Sequence, residues 1–166
     1  MRNYRNGQSG FTLVELIIVI IILGILAATA LPRFAQMQTQ ARVAKLNAVR
    51  GAAMEAGTVV YGLSLTQGLD ATAHTISVQG QNVTIINNYP TADNAGIMAS
   101  IGNYATVANQ TADGVGNLAD GGGAAGDVLT IQVLGGADPT TCFFTYTNPA
   151  AAGSSASVST VTTAGC

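Results

Sequence analysis

Charge is what this chain has least of. Acidic and basic residues make up 8% of its 166 residues, against about a quarter in an ordinary globular domain, which excludes the charged, hydrated surface of a typical cytosolic protein. Bases are missing from everything after Arg50, the full set being Arg2, Arg5, Arg33, Arg42, Lys45 and Arg50. The remainder carries Glu55, Asp70, Asp93, Asp113, Asp120, Asp127 and Asp138, a sign balance that argues against a nucleic-acid surface there. With one histidine, His74, and two cysteines, Cys142 and Cys166, a metal site is not expected. Gly121-Gly122-Gly123 is followed by neither a Lys nor a helix cap, and the acids are scattered through turns. Neither catalysis nor a cofactor is therefore expected.

What is present is oil: 48% of the residues are apolar, and residues 13–31 contain a single charge, Glu15. As a helix this run spans about 28 Å, enough for a bilayer core. Arg2 and Arg5 precede it in a polar leader, which keeps Met1 cytoplasmic and sends the bulk of the chain outward. A secretory signal cut after Ala28-Thr29-Ala30 and an uncleaved anchor for a periplasmic enzyme both fit that pattern. Neither explains Glu15, because a carboxylate in a spanning helix costs about 2.5–3.5 kcal/mol near its centre and normally has a partner. Cutting between Gly10 and Phe11 creates an α-amino group four residues before Glu15 and places the carboxylate in a first helical turn, where the dipole favours it.

Gly10-Phe11-Thr12-Leu13-Val14-Glu15 ahead of a long apolar stretch resembles the prepilin cleavage motif of type IV pilins and pseudopilins. The resemblance implies a leader at residues 1–10, removed after Gly10 by a prepilin peptidase that methylates the new terminus at Phe11. It implies a membrane and filament-core helix at 11–31, and an assembly salt bridge from Glu15 to the Phe11 amine of a neighbouring subunit. The implied partners are identical subunits in a homopolymer, the inner-membrane pilus assembly machinery, and the membrane itself before assembly. The implied location is the inner membrane for the precursor and an extracellular pilus afterwards. Gly24 and Pro32 match the residue types where such helices open in filaments, and Pro32 removes a backbone donor, so a helix break by extension is expected between them on assembly.

Beyond Pro32, Val43, Leu46, Val49, Ala53, Ala56 and Val60 recur at helical spacing, predicting an amphipathic helix over 32–62 that weakens at Gly62. Residues 63–166 are expected to form a globular head. A hairpin is predicted with strands 75–78 and 83–86 across residues 79–82. Tyr89-Pro90 is expected to break the run, and a short helix through 95–101, capped by Thr91 or Asp93, should follow. A loop at 114–126 and strands at 128–134, 142–147 and 156–163 complete the reading. The fold class is α+β: a long N-terminal helix whose C-terminal half packs on an antiparallel sheet, the pilin lollipop.

In an exported domain Cys142 and Cys166 should form a disulfide, closing a loop whose entropy is worth about 3.5 kcal/mol. The segment 153–163 is rich in hydroxyls, which makes Ser154, Ser155, Ser157 and Ser159 candidates for O-glycosylation. Asn82 and Asn109 sit in tripeptides that occur often by chance. Residues 22–27 and Pro32-Arg33-Phe34, with Ala41-Arg42 and Leu46-Asn47 beyond, are similar to mannose-sensitive haemagglutinin (MSHA) pilins, the resemblance covering roughly the first sixty residues; Val60-Tyr61 and the closing Cys166 agree with it, and it implies surface attachment, with motility as a further role. The alternative in the same class is a pseudopilin of a type II secretion system.

Overall fold

The computed structural model describes residues 11–102, 114–119, 121–136 and 138–166. One helix, α1, occupies Leu13–Thr66. In the lone chain it runs unbroken through Gly24 and Pro32; the extension expected there is a property of the assembled filament. Proline's fixed φ suits a helix, but Pro32 removes one donor and crowds the carbonyl one turn earlier, a cost of about 3 kcal/mol that the helix carries at this point. Gly62 does not end the helix either. Its end is Gly68, in the left-handed region at φ 65. The amide of Gly68 donates to the Leu65 carbonyl and that of Leu69 to the Ser64 carbonyl, the two bonds of a Schellman cap.

The chain divides into two compact units, Met1–Gln38 and Thr39–Cys166. Within the second, α1 buries Leu46, Val49, Ala53, Gly57, Val60 and Ser64, a stripe advancing by three or four residues and so confined to one helix face. The strands are β1 (His74–Val78), β2 (Gln81–Ile86), β3 (Tyr89–Pro90), β4 (Val115–Ala119), β5 (Val128–Val133), β6 (Phe143–Thr147) and β7 (Ser157–Val158). They form two antiparallel sheets rather than one, ordered β1-β2-β3 and β4-β5-β6-β7.

Each sheet supplies its own core. In β5 and β6 inward and outward residues alternate, and Leu129 faces Tyr146 while Ile131 faces Phe144 across the ladder, pairing large apolar groups on one side. These four cluster with Leu46, Val49 and Ala53 of α1. A second cluster gathers Val60 with Ile76, Val83, Ile85 and Ala99. Tyr146 is fully buried, and its hydroxyl donates to the Pro90 carbonyl at 2.9 Å. Burial pushes that hydroxyl well above its ordinary titration range, so it stays a donor.

Several sequence expectations are corrected. The hairpin turn is Gln79-Gly80, both at positive φ, because Val78 pairs with Gln81; a two-residue turn with this backbone matches strand twist better than four. Tyr89-Pro90 is not a break but strand β3 at a sheet edge, where a residue without an N–H is tolerated. Residues 115–119, expected in a loop, form β4. The expected strand 156–163 shrinks to β7 and one bridge between Phe143 and Thr162. The short helix is a π-helical turn, Asn94–Met98, whose N-cap is Asp93, accepting from the Gly96 amide.

Cys142 and Cys166 are joined in a disulfide. The tail leading to it is held from α1 by two bases: Arg42 donates to the Cys166 carbonyl at 2.8 Å and Arg50 to the Ser159 carbonyl at 2.6 Å. Leu46 lies between those arginines in sequence and is wholly buried. Leu46→Ala is expected to destabilise the second unit by about 3 kcal/mol, read as urea unfolding of the detergent-solubilised chain by tyrosine circular dichroism. A loss below about 1 kcal/mol would mean the stripe is not core.

Candidate assembly segment

Phe11 and Thr12 precede α1, and Phe11 is 94% exposed. Thr12 is the helix cap. Its Oγ1 accepts from the Glu15 amide at 3.3 Å, while Glu15 Oε2 accepts from both the Thr12 amide and the Thr12 hydroxyl at 2.9 Å. This reciprocal pairing is a capping box, satisfying donors that the first helical turn otherwise leaves open. Glu15 is therefore partnered within its own chain before any neighbour arrives. Gly10, on the far side of the expected cleavage, lies outside the described residues, as does Asn109.

From that cap to Leu31 the helix is apolar on every side, Glu15 apart. Every large apolar side chain from Leu13 to Met37 is at least 41% exposed, the least being Ile17. A helix hydrophobic all round belongs in lipid or among other helices, since soluble proteins rarely expose a contiguous apolar surface larger than a few hundred Å². The helix is long and apolar enough to cross a membrane. Thr29 directs its hydroxyl back to the Leu26 carbonyl at 3.0 Å, so this polar group makes no demand on the surroundings.

The four serine candidates are not equivalent. Ser159 Oγ accepts from the Thr145 amide at 2.9 Å and donates to the Thr160 carbonyl at 3.0 Å, so its hydroxyl is already used. Ser157 lies in β7, whereas Ser154 and Ser155 sit exposed in the connection before it. Asn82 opens no loop; it is paired with Ser77 in the first hairpin. His74 takes part in a small surface network: its Nε2 lies 2.7 Å from Asp70 Oδ1, which also accepts from the Thr72 amide at 2.9 Å. Hydrogen bonds from Thr72, then His74, hold the Asp70 carboxyl down at about 2. Among the described residues no group of three or more His, Cys, Asp or Glu side chains converges.

Sequence reasoning missed Thr12, although Thr12-Leu13-Val14-Glu15 spells the capping-box spacing. It also missed Arg42 and Arg50 as clamps on the tail, for which a single sequence carries no signal.

A profile of the prokaryotic N-terminal methylation motif matches residues 5–31. The type IV major fimbrial protein FimA of Dichelobacter nodosus is 33% identical over 123 residues, covering 63% of this chain and 78% of that protein. The type IV narrow pilus major component PilA5 of Thermus thermophilus is 51% identical over 47 residues, 28% of this chain and 40% of that protein. The type II secretion system core protein G of Pseudomonas aeruginosa is 51% identical over 39 residues, 24% of this chain and 28% of that protein. The chain thus spans less than half the length of the latter two. No solved structure matches it.

Two outcomes are expected from these geometries. Thr12→Val removes the hydroxyl half of the box, a loss of about 1 kcal/mol, so amide exchange at Glu15 in micelles should quicken about fivefold, and Thr12→Ser should restore it. The Asp70 carboxyl is depressed on folding, so its contribution is full above the ordinary range near 3.8 and is lost as pH falls toward about 2. Asp70→Asn should flatten the acid dependence of stability in that window while leaving the rest of the pH curve in place.

Proposed function

The chain belongs to the type IV pilin family, and on that premise we propose that it is the structural subunit of a type IV pilus, polymerising through α1 into an extracellular filament. The observation that carries this reading is the apolar rod of residues 13–31, exposed on every side and interrupted by one carboxylate. Such a rod has two resting places: a bilayer before assembly and the company of identical rods after it.

In this reading the prepilin peptidase cuts between Gly10 and Phe11 at the cytoplasmic face and methylates the Phe11 amine. The assembly machinery of the inner membrane then lifts the subunit into the growing fibre. Glu15, held first by Thr12, gains a second partner in the Phe11 ammonium of a neighbour. A charge pair in an apolar medium is worth having only when both members are present, so the contact rewards the correct register between rods. The helix is continuous through Gly24 and Pro32 in the single chain, and opening between these residues belongs to the packed filament, where a neighbour can satisfy the released carbonyls.

Within the family the subunit is of the MSHA kind, and its role is attachment to surfaces. The two clustered cores and the tail closed by Cys142–Cys166 suit a head that is displayed outside the cell. The likeness to a type II secretion core protein supports a second reading as a major pseudopilin. The two separate on deletion: loss of long surface filaments with normal secretion fits the pilus, and defective secretion with normal filaments fits the pseudopilus.

Two measurements test the proposal. The mature protein should begin with methylated Phe11; a start at Leu31 means an ordinary signal peptide, and at Met1 an uncleaved anchor. Glu15→Gln, expressed without wild-type subunit, should lower filament mass at least about tenfold, because breaking a buried pair costs about 3–5 kcal/mol. Filaments at normal yield from that variant would contradict the pairing.

A further inference from the structure

The bond cut in the pilus reading joins Gly10 to Phe11, just ahead of Leu13, where α1 begins. Hydrolysis adds water to the Gly10 carbonyl carbon and breaks its bond to the Phe11 nitrogen, which leaves with the electron pair and takes up a proton. A peptide bond wound into a helix is a poor substrate. Its carbonyl is tied to the amide four residues on, whereas peptide-binding clefts commonly take an extended chain whose backbone groups are free. Phe11 lies outside α1 and is 94% exposed. The point at which the helix stops therefore bears on cleavage.

Two hydrogen bonds would carry α1 further toward the leader, and the Thr12–Glu15 pair occupies the donors of both. The Glu15 amide, four residues after Phe11, donates to Thr12 Oγ1 at 3.3 Å instead of to the Phe11 carbonyl. The Thr12 amide, four residues after Gln8, donates to Glu15 Oε2 at 2.9 Å. The regular ladder then opens with the Leu16 amide on the Thr12 carbonyl at 3.3 Å. The nearest other hydroxyl residue upstream is Ser9. A helix capped there would take Gly10 and Phe11 as its first two residues, with the Val14 amide on the Gly10 carbonyl. Three residues after Ser9 stands Thr12, neither Glu nor Gln, so Ser9 lacks the reciprocal partner that Thr12 has in Glu15.

We propose that Thr12 is a positioning residue for the prepilin peptidase: its capping box with Glu15 stops α1 short of the Gly10–Phe11 bond and presents that bond unwound. The hydroxyl acts through the backbone and touches no reacting atom. Gly7 and Gly10 also disfavour helix on the leader side, so one cap at Thr12 suffices to hold the boundary. Glu15 then has two successive duties, closing the cap while the leader is attached and meeting a neighbour's amine once it is gone. The assignment rests on the pilus reading, which supplies the cut, yet the two fail on different outcomes.

Full-length precursor in detergent micelles, incubated with the prepilin peptidase of the same cells, tests this, the released leader being quantified by mass spectrometry. Thr12→Gln is the decisive variant, because it removes the cap and gives Ser9 the glutamine it lacks three residues on, a box one turn upstream. KM should rise at least about fivefold with kcat little changed, since only the unwound fraction binds. The Phe11 Cα chemical shift should move toward the helical range in the same sample. Ser9→Ala/Thr12→Gln dismantles the new box and should return KM to within about twofold of wild type, as should Thr12→Ser. Wild-type KM in Thr12→Gln, a fall in kcat alone, or an unmoved Phe11 shift overturns the inference. A raised KM that persists in Ser9→Ala/Thr12→Gln also overturns it, because the peptidase would then be reading the hydroxyl itself. Wild-type precursor left uncut between Gly10 and Phe11 sinks the pilus reading and this inference with it, whereas a normal wild-type cut beside any of the former results sinks the inference alone.

Discussion

Everything in this chain answers to one constraint: a helix that is apolar on every face has a carboxylate in its first turn. The apolar surface cannot remain in water, and Glu15 cannot remain bare in lipid. The structure shows how the second difficulty is met in a lone chain, with Thr12 supplying both a hydroxyl and an amide to Glu15. A neutral donor pair relieves a carboxylate less than an ammonium does. Under the proposed pairing with a neighbour's Phe11 ammonium, the capping box makes the subunit tolerable before assembly without making it as favourable as after it, and the difference would supply a direction for polymerisation.

The second unit follows from the same helix. Its stripe from Leu46 to Ser64 is narrow, and the residues are small where the sheets approach, with Ala53 and Gly57 among them. Two sheets divide that stripe between them, one cluster around Leu46 and Val49 and another around Val60. Three of the chain's six bases, Arg42, Lys45 and Arg50, lie in this part of the helix as well. Arg42 and Arg50 reach tail carbonyls, so they are spent on holding residues 159–166 in place.

The parts of the fold that the sequence made legible are those in which side-chain period dictates structure. The apolar run, the amphipathic stripe and the alternation in Val128–Val133 and Phe143–Thr147 all announce their elements. What failed was read from backbone punctuation. Pro90 suggested a break, yet at an edge strand its missing donor faces no partner. The glycines around 114–126 suggested a loop, yet Val115 is fully buried and long-range pairing to β5 overrides weak local propensity. Val158 and Val161 suggested a full strand, but the tail follows its disulfide and arginine contacts instead. In the assembly segment Glu15 stood out because it was isolated, and Thr12 was overlooked because its role is local.

The central claim is that residues 13–31 of many subunits shelter one another, with each Glu15 shared between its own Thr12 and a neighbour's amine. A filament map at side-chain resolution tests it most directly. The account predicts that these segments fill a dry core and that every Glu15 carboxylate lies within hydrogen-bond distance of an adjacent Phe11 nitrogen. A map with the apolar segments outside the core, or with Glu15 bonded to Thr12 alone, would contradict it.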